Sequence, residues 1–342
     1  MATIREIAED LGVALSTVSR SLNDSPAISE ATKQRVREAA ERLGYRRDVA
    51  AAALRSGRSH VLGLVLGDVT NPFFALLAQH VESEARKHGF RIMFGNGEEK
   101  PSRQTEVVAT LLEYRVDGLL IVPAGRPEPS CVAQMREVPT VAIDRAVPGA
   151  DFDFVGSDVE GALLDLAAHL RDLGYRRPAL ITGPQSTTTG AERTQLARAA
   201  FQRAGFDRPA ESRSRYDAAS GERAMTELLG AGRPDVVVCG SSVIAQGAML
   251  SLKQHDMRVG ADVGLATFDA LPWFEAMTPA LTVIDTDVSA MARMAVDVLA
   301  SRIDGTRTDP SPHTQMTTAR LLVRESTLHA APPPNVRRSG SP

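Results

Sequence analysis

Within the first 25 residues, a small set of side chains is spaced so that it could read nucleic acid. Ala8, Gly12 and Val18 put a small residue where two helices would cross, a turn residue four positions on, and an apolar anchor on the following helix. The same spacing also fits a plain αα-hairpin. The outward face of the second helix favours the first reading. It carries Leu15, Ser16, Ser19 and Arg20, with Asn23 just beyond, short side chains suited to base edges and phosphates.

No comparable set supports covalent chemistry. GNGEEK at 95–100 begins like a dinucleotide loop but lacks the third glycine, and GPQSTTTG at 183–190 lacks the Gly-Lys-Ser/Thr ending of a phosphate loop. Both read as ordinary strand-to-helix turns. No GxSxG elbow occurs. The seven histidines, at 60, 80, 88, 169, 255, 313 and 329, form no HxxxH or His/Cys cluster, and Cys131 and Cys239 lie in no CxxC pair. The expectation is a protein with no catalytic centre, no metal and no cofactor. Two cysteines cannot build a disulfide framework, which suits a reducing cytoplasm. There is no signal-like apolar segment near the start and no 18-residue apolar run, so neither secretion nor a membrane partner is expected.

The elements that must position the candidate face follow from periodicity. The segment TIREIAEDLGVALSTVSRSLN carries two helical periods broken at Gly12. Ser29 is placed to cap a third helix whose apolar face is Val36, Ala39, Ala40 and Leu43 and which ends at Gly44. From Val61 the texture becomes short aliphatic runs, VLGLVLGDV, FRIMFGN, VDGLLIVPA, PTVAIDRAV and FDFVGSDV, alternating with helices near 73–88, 103–114 and 130–137. A second series begins near Glu160 with a helix to Leu173. RPALITGP follows, then a helix from Arg193 to Ala204, one at 221–230, PDVVVCGS, a helix at 244–254, VGLATFDA and a helix at 288–303. Such βαβ alternation implies parallel sheets, here in two tandem α/β lobes. The net charge of −3 hides an asymmetry: residues 1–59 hold ten basic against eight acidic residues, which places a polyanion partner at the N-terminal end. The closing HAAPPPNVRRSGSP offers almost nothing to bury.

The stretch TIREIAEDLGVALSTVSRSLNDSPAISEATKQRVREAAERLGY resembles the DNA-binding headpiece of the lactose/galactose repressor (LacI/GalR) family nearly end to end. The resemblance continues through GLVLGDVTNPFF, YRVDGLLIVPA, IDR, LRDLGYRRPALITGP, TFDALPWFEAMTPALTVI and LLVRESTL, and so covers about residues 2–329. It implies a helix-turn-helix headpiece over 1–45 and a hinge helix with linker over 46–59. Two periplasmic-binding-protein-like lobes follow, one from 60–159 plus about 287–316 and one from 160–286 plus about 317–329, with a disordered tail over 330–342. The implied function is a cytoplasmic transcriptional regulator, a repressor of carbohydrate-related genes. It acts as a homodimer on double-stranded DNA at a pseudo-palindromic operator and is controlled by a sugar or sugar derivative in the cleft between the lobes. The family's tetramers use a C-terminal apolar heptad helix, and residues 329–342 contain none, which favours the dimer. A regulator answering to a protein co-regulator and a stand-alone sugar-binding protein are the alternatives.

On the DNA side the resemblance implies Thr3, Arg5, Leu15, Ser16, Thr17, Ser19, Arg20, Asn23, Lys33 and Arg35, together with Leu54 as a wedge in the minor groove. The hinge departs from the family, with Tyr45-Arg46-Arg47-Asp48 where Pro-Asn usually follows the Tyr. Ala50 to Ala53 still favour a helix, and Leu54 packing on the lobe below is the other reading. In the cleft the candidates are Phe73 and Phe74 as an aromatic face or as core, and Asp144 with Arg145 as acceptor and donor or as an ion pair with each other. Arg193, Tyr216 and Asp269 match ligand-contacting positions. Ser241 and Thr286 stand where longer amide side chains are usual, and Leu196-Ala197 stands in place of Gly-Phe.

Overall fold

The computed structural model describes residues 2–22, 24–45 and 58–328; Met1, Asn23, residues 46–57 with Leu54, and residues 329–342 lie outside the described residues. The chain separates into two compact units, Met1–Ser59 and His60–Pro342. In the first, α1 (Ile4–Leu11), α2 (Leu15–Leu22) and α3 (Glu30–Arg42) enclose a small core of Ile7, Ala8, Val18, Val36, Ala39 and Ala40. The tight turn between α1 and α2 depends on Gly12, whose φ of 64° closes the first helix and returns its N–H to the Ala8 and Glu9 carbonyls. Ser29 caps α3 by accepting from Thr32 N.

The second unit opens with β1 (Val61–Leu66), α4 (Pro72–Lys87), β2 (Arg91–Asn96), α5 (Pro101–Glu113), β3 (Gly118–Ile121), α6 (Pro129–Met135), β4 (Thr140–Ile143) and β5 (Asp153–Asp158). The chain then crosses to a second lobe. This is built from α7 (Glu160–Asp172), β6 (Pro178–Thr182), α8 (Thr188–Arg203), β7 (Ala210–Arg213), α9 (Ala218–Gly232), β8 (Val236–Cys239), α10 (Ser242–Gln254), β9 (Gly264–Phe268), α11 (Pro272–Glu275) and β10 (Thr282–Asp285). It returns through α12 (Val288–Ile303) and β11 (Thr314–Thr318), and crosses a third time into β12 (Arg320–Leu322). The sheet orders are β11-β5-β4-β3-β1-β2 and β12-β10-β9-β8-β6-β7, the same topology twice. All pairings are parallel except β10 with β12, and the third crossing falls at Ala319 rather than near 316. At the crossings Ala319 N donates to Asp158 O at 2.9 Å and Thr317 Oγ1 to Thr286 O at 2.7 Å, stitching the connecting segments together.

Alternation along the strands feeds two cores per sheet. Leu62, Leu64 and Leu66 face α4 and α12, whereas Val65 faces α5 and α6. On α4, Phe74, Leu77, Val81 and Ala85 recur at helical spacing and are all buried, behind an Asn71 cap and Pro72 in the first turn. Three helices begin earlier than periodicity suggests. Side-chain caps set their starts: Thr187 for α8, Asp217 for α9 and Ser241 for α10. The edge strands β7 (AESR) and β11 (TQMTT) carry little strand pattern of their own and owe their extension to the neighbouring ladder. Among the described residues no helix is long and apolar enough to cross a membrane, and no group of His, Cys, Asp and Glu could hold a metal ion.

One buried ion pair ties the first lobe's late strand to its core. Arg302 on α12 donates from Nε and Nη2 to the two carboxylate oxygens of Asp153, at 2.8 Å each, and His313 N adds a third bond at 2.7 Å. Burial alone would raise the Asp153 carboxyl, but Arg302 and the His313 N–H outweigh it, so it titrates below its ordinary 3.8. Arg302→Met should therefore lower stability by about 3–5 kcal/mol in urea unfolding, because Asp153 stays buried without its cation. A depressed carboxyl stabilises the fold above the unfolded value and loses that contribution as pH falls through the folded one. The gap between wild type and variant should be largest at neutral pH and shrink as pH falls from the variant's raised Asp153 value through the wild type's depressed one. A neutral-pH difference under about 1 kcal/mol would count against the pair.

Candidate functional site

Two surfaces gather the chemistry-bearing residues. On the small unit, Leu15 is 53% exposed at the start of α2, a large apolar side chain left in water beside exposed Ser16 and Arg20 and half-buried Thr17 and Ser19. The first turn of α2 carries no acidic residue, so nothing there repels a phosphate. Arg5 and Arg35 are also exposed. Two of the expected contacts have partners within the unit. Thr3 is the cap of α1, in a reciprocal box with Glu6: Glu6 N donates to Thr3 Oγ1 at 3.3 Å and Thr3 N to Glu6 Oε2 at 2.7 Å. Lys33, expected on the DNA side, is 5% exposed and gives its ammonium to Glu30 at 2.6 Å and Asp24 at 3.0 Å. A buried, doubly paired lysine is not offered to a phosphate.

The second surface lies between the lobes of the large unit. Parallel strands deliver their C-terminal ends to this cleft, and the structure brings Phe73, Phe74, Asp144, Arg145, Arg193, Tyr216, Ser241 and Asp269 together around it. Asp144 follows β4 and Asp269 follows β9, the equivalent strands of the two lobes. Both are buried, both have left-handed φ (63° and 74°), and each donates its N–H to the next strand, at Val155 O and Ile284 O. A left-handed conformation is strained for a side-chain-bearing residue and marks positions held by their surroundings. Asp269 Oδ2 accepts from Ser242 N at 3.0 Å and Ser242 Oγ at 2.9 Å. Asp144 has looser partners, Arg193 Nη2 at 3.6 Å and Arg145 Nε at 3.7 Å. Burial pushes the Asp144 carboxyl above its ordinary value; Arg193 and Arg145 oppose the rise, and Asp269 and Glu99 add to it.

Asp144 and Arg145 do not satisfy one another. Arg145 instead forms a two-pronged pair with Glu99, Nη1 to Oε2 at 2.7 Å and Nη2 to Oε1 at 2.9 Å, and its Cζ lies 4.8 Å from the Tyr216 ring centre and 5.5 Å from that of Phe74. Burial alone would lower the Arg145 guanidinium, and Glu99 outweighs it, holding it well above the ordinary arginine value. Arg193 lies 4.2 Å from the Phe268 ring centre and donates from Nη1 to Gly240 O at 3.0 Å. Phe73 and Phe74 serve both roles considered for them, packing in the first lobe's core while lining the cleft. Tyr216 rests its hydroxyl 3.3–3.4 Å from Thr189 and Thr187, and its ring face is covered by Arg145. Ser241 caps α10, accepting from Ile244 N. Thr286 is fully buried at a crossing with its Oγ1 unpartnered, and it is not among the residues around the cleft. In this conformation the cleft residues leave about 10 Å³ of free volume, room for about one water.

Sequence reasoning missed Glu99 and Ser242. Glu99 belongs to GNGEEK, read as an ordinary turn; the available signal was an acidic residue at the carboxyl end of a parallel strand, where such sheets collect ligands. Ser242 acts through its backbone N–H as well as its hydroxyl, and backbone roles leave no trace in residue type.

Residues 3–48 match the family described as bacterial regulatory proteins, lacI family, and residues 167–327 match a periplasmic binding protein-like domain. The ribose operon repressor of Escherichia coli (strain K12) is 33% identical over 311 residues, spanning 89% of this chain and 93% of that protein. A transcriptional regulator CelR–cellobiose complex is 29% identical with a TM-score of 0.70, covering 95% of this chain and 100% of the other. The lac repressor dimer bound to operator and an anti-inducer matches in fold, with a TM-score of 0.83 at 24% identity over 96% of this chain and 99% of that one.

The loose partners of Asp144 make it expendable for folding. Asp144→Asn removes a buried charge that accepts no hydrogen bond among the described residues, and asparagine tolerates the left-handed conformation. A carboxyl raised in the folded state loses stability as pH climbs from the unfolded value through the folded one, and the variant is spared that loss. Its thermal midpoint at neutral pH should equal or exceed that of wild type in scanning calorimetry. A drop of more than about 3 °C would show that the ion contacts to Arg193 and Arg145 outweigh the burial.

Proposed function

The chain belongs to the lacI family of bacterial regulatory proteins, and we propose on that footing that its cleft senses a sugar or sugar derivative whose binding changes the affinity of the headpiece for an operator. The chain is a DNA-binding transcriptional regulator. The observation that supports the effector reading is the pair Asp144 and Asp269. Two buried carboxylates, one from each lobe at equivalent strand ends, keep unfilled acceptor capacity beside Phe73 and Tyr216. Vicinal hydroxyls supply the donors such carboxylates lack, and the apolar face of a sugar ring suits the aromatic side chains. The ribose operon repressor and the cellobiose complex among the relatives favour the same class of ligand.

The mechanism follows from what the effector must displace. Here the lobes are linked across the cleft by Arg193 with Asp144, by Arg145 over Tyr216, and by Ala146 N donating to Thr188 Oγ1 at 3.1 Å. A ligand that takes these groups replaces lobe-to-lobe contacts with lobe-to-ligand contacts and so favours a different lobe arrangement. If the operator favours one arrangement and the effector the other, each weakens the other's binding by the same factor. The proposed DNA contacts are Thr3, Arg5, Leu15, Ser16, Thr17, Ser19, Arg20 and Arg35, while the paired ammonium of Lys33 argues against it; Asn23 and Leu54, outside the described residues, remain as proposed contacts. A cytoplasmic homodimer on a twofold operator completes the reading. The exposed Leu250 and Trp273, 43% and 41% accessible, supply apolar surface for such pairing.

A 60–342 truncation should lose specific operator binding, and the full chain's affinity should fall steeply with salt as arginines displace counterions. Ser16→Ala should relax base preference at one operator position by about 1–3 kcal/mol in competition gel shifts, and uniform weakening on all sequences would make it a phosphate contact instead. Specific binding by the truncation would overturn the headpiece assignment.

Asp269→Ala and Arg193→Ala should each retain operator binding while the response to inducer weakens by about 1–3 kcal/mol, roughly five- to 150-fold in the concentration required. Titrating the protein–operator complex by fluorescence anisotropy measures this. Release of both variants at wild-type inducer concentration would remove these residues from the sensor.

A further inference from the structure

Arg145 is the most deeply buried cation of the cleft, and its forked end is already filled. Its side chain is 3% exposed; Nη1 and Nη2 bind the two oxygens of Glu99, and Nη1 also donates to Pro123 O at 3.1 Å. Among the described residues its Nε has no hydrogen-bond partner, and it faces Asp144 at 3.7 Å. The loop after β2 is shaped to deliver Glu99. Glu98 and Glu99 both adopt left-handed φ (53° and 52°), and Glu99 N is tied to Gly67 O at 2.6 Å. Gly67 also provides the room, since a Cβ there would fall 2.5 Å from Glu99 Oε1. Arg193, the other cation, is engaged with Gly240 O, the Phe268 ring and Asp144. Counting Glu99, three carboxylates therefore face two guanidiniums.

This balance separates ligand classes. An incoming phosphate or carboxylate finds the Arg145 fork filled by Glu99 and meets surplus negative charge at low dielectric, whereas a hydroxyl finds unfilled acceptors on Asp144 and Asp269. We infer that Glu99 is a specificity-determining residue: by occupying Arg145 it restricts the effector to uncharged polyhydroxylated molecules and excludes their phosphorylated and acidic counterparts. The inference rests on the reading of the cleft as a sugar site. It adds a ligand class and the residue that selects it.

The test uses the full-length protein in calorimetry and thermal-shift titrations. The probes are D-ribose, D-galactose and D-glucose, each paired with its phosphate ester, together with gluconate and inorganic phosphate. Wild type should bind an uncharged sugar on the order of a hundredfold more tightly than its phosphate, and should ignore inorganic phosphate at millimolar concentration. Glu99→Gln should cut that selectivity tenfold or more and gain saturable phosphate binding, which Glu99→Gln with Arg145→Met loses again. Glu99→Asp, which keeps the charge, should still exclude phosphate and guards against a folding defect in Glu99→Gln. A wild type that prefers a phosphorylated or acidic sugar overturns the inference while leaving the cleft as the sensor. Unchanged selectivity in a folded Glu99→Gln does the same. If no sugar of any kind binds wild type, the sugar reading falls; the inorganic phosphate arm still decides whether Glu99 blocks Arg145, because it needs no sugar.

Discussion

In a parallel sheet every strand ends at the same edge, and this constraint organises the large unit. Both lobes wind their strands in the same order, so the loops after β1, β3 and β4 and those after β6, β8 and β9 all emerge toward the space between them. No side chain needs to be long to reach the cleft, because the backbone has already delivered it there. The three crossings keep the two edges facing one another. Their stitching, Ala319 N to Asp158 O and Thr317 Oγ1 to Thr286 O, lies in short connecting segments.

The cleft built on this frame is polar and closed upon itself. Its groups divide into those held tightly and those held loosely. Arg145 with Glu99 is a two-pronged pair at hydrogen-bond distance, and Asp269 has two donors from Ser242. Asp144, by contrast, lies between two guanidiniums at distances beyond a hydrogen bond. A buried carboxylate with unfilled acceptors is costly in the free protein, and that cost favours any ligand that supplies the donors. Asp144 is thus a burden on the fold, whereas at Asp153 Arg302 and a backbone N–H fill the carboxylate completely enough to outweigh its burial.

The headpiece divides its residues in the same way. Ile7, Ala8 and Val18 bury the crossing of α1 and α2, Thr3 and Ser29 cap helices, and Lys33 joins Asp24 and Glu30. What remains outward on α2 is short, polar or, at Leu15, apolar without a partner in the core. A leucine half left in water adds little to the core of the unit itself.

The sequence by itself determined the three helices of the headpiece, the alternation that makes two α/β lobes, and most residues around the cleft. Each rests on local rules: helical periodicity, aliphatic runs of strand length, a glycine where a left-handed turn is needed. The family resemblance carried Arg193, Tyr216 and Asp269, and the structure brings all three to the cleft. Tertiary structure alone decided the rest. Glu99 and Arg145 are 46 positions apart and meet only because β2, β1, β3 and β4 lie side by side. Lys33 reads as an exposed basic residue until Asp24 and Glu30 pair with it, and nothing in the residue type of Thr286 tells that it is buried at a crossing. The edge strands β7 and β11 have no pattern of their own and exist because a neighbouring ladder offers them hydrogen bonds. Periodicity records which face of an element is buried; which charges meet across elements depends on strand order and on backbone conformations such as the left-handed Asp144 and Asp269, and residue type does not encode either.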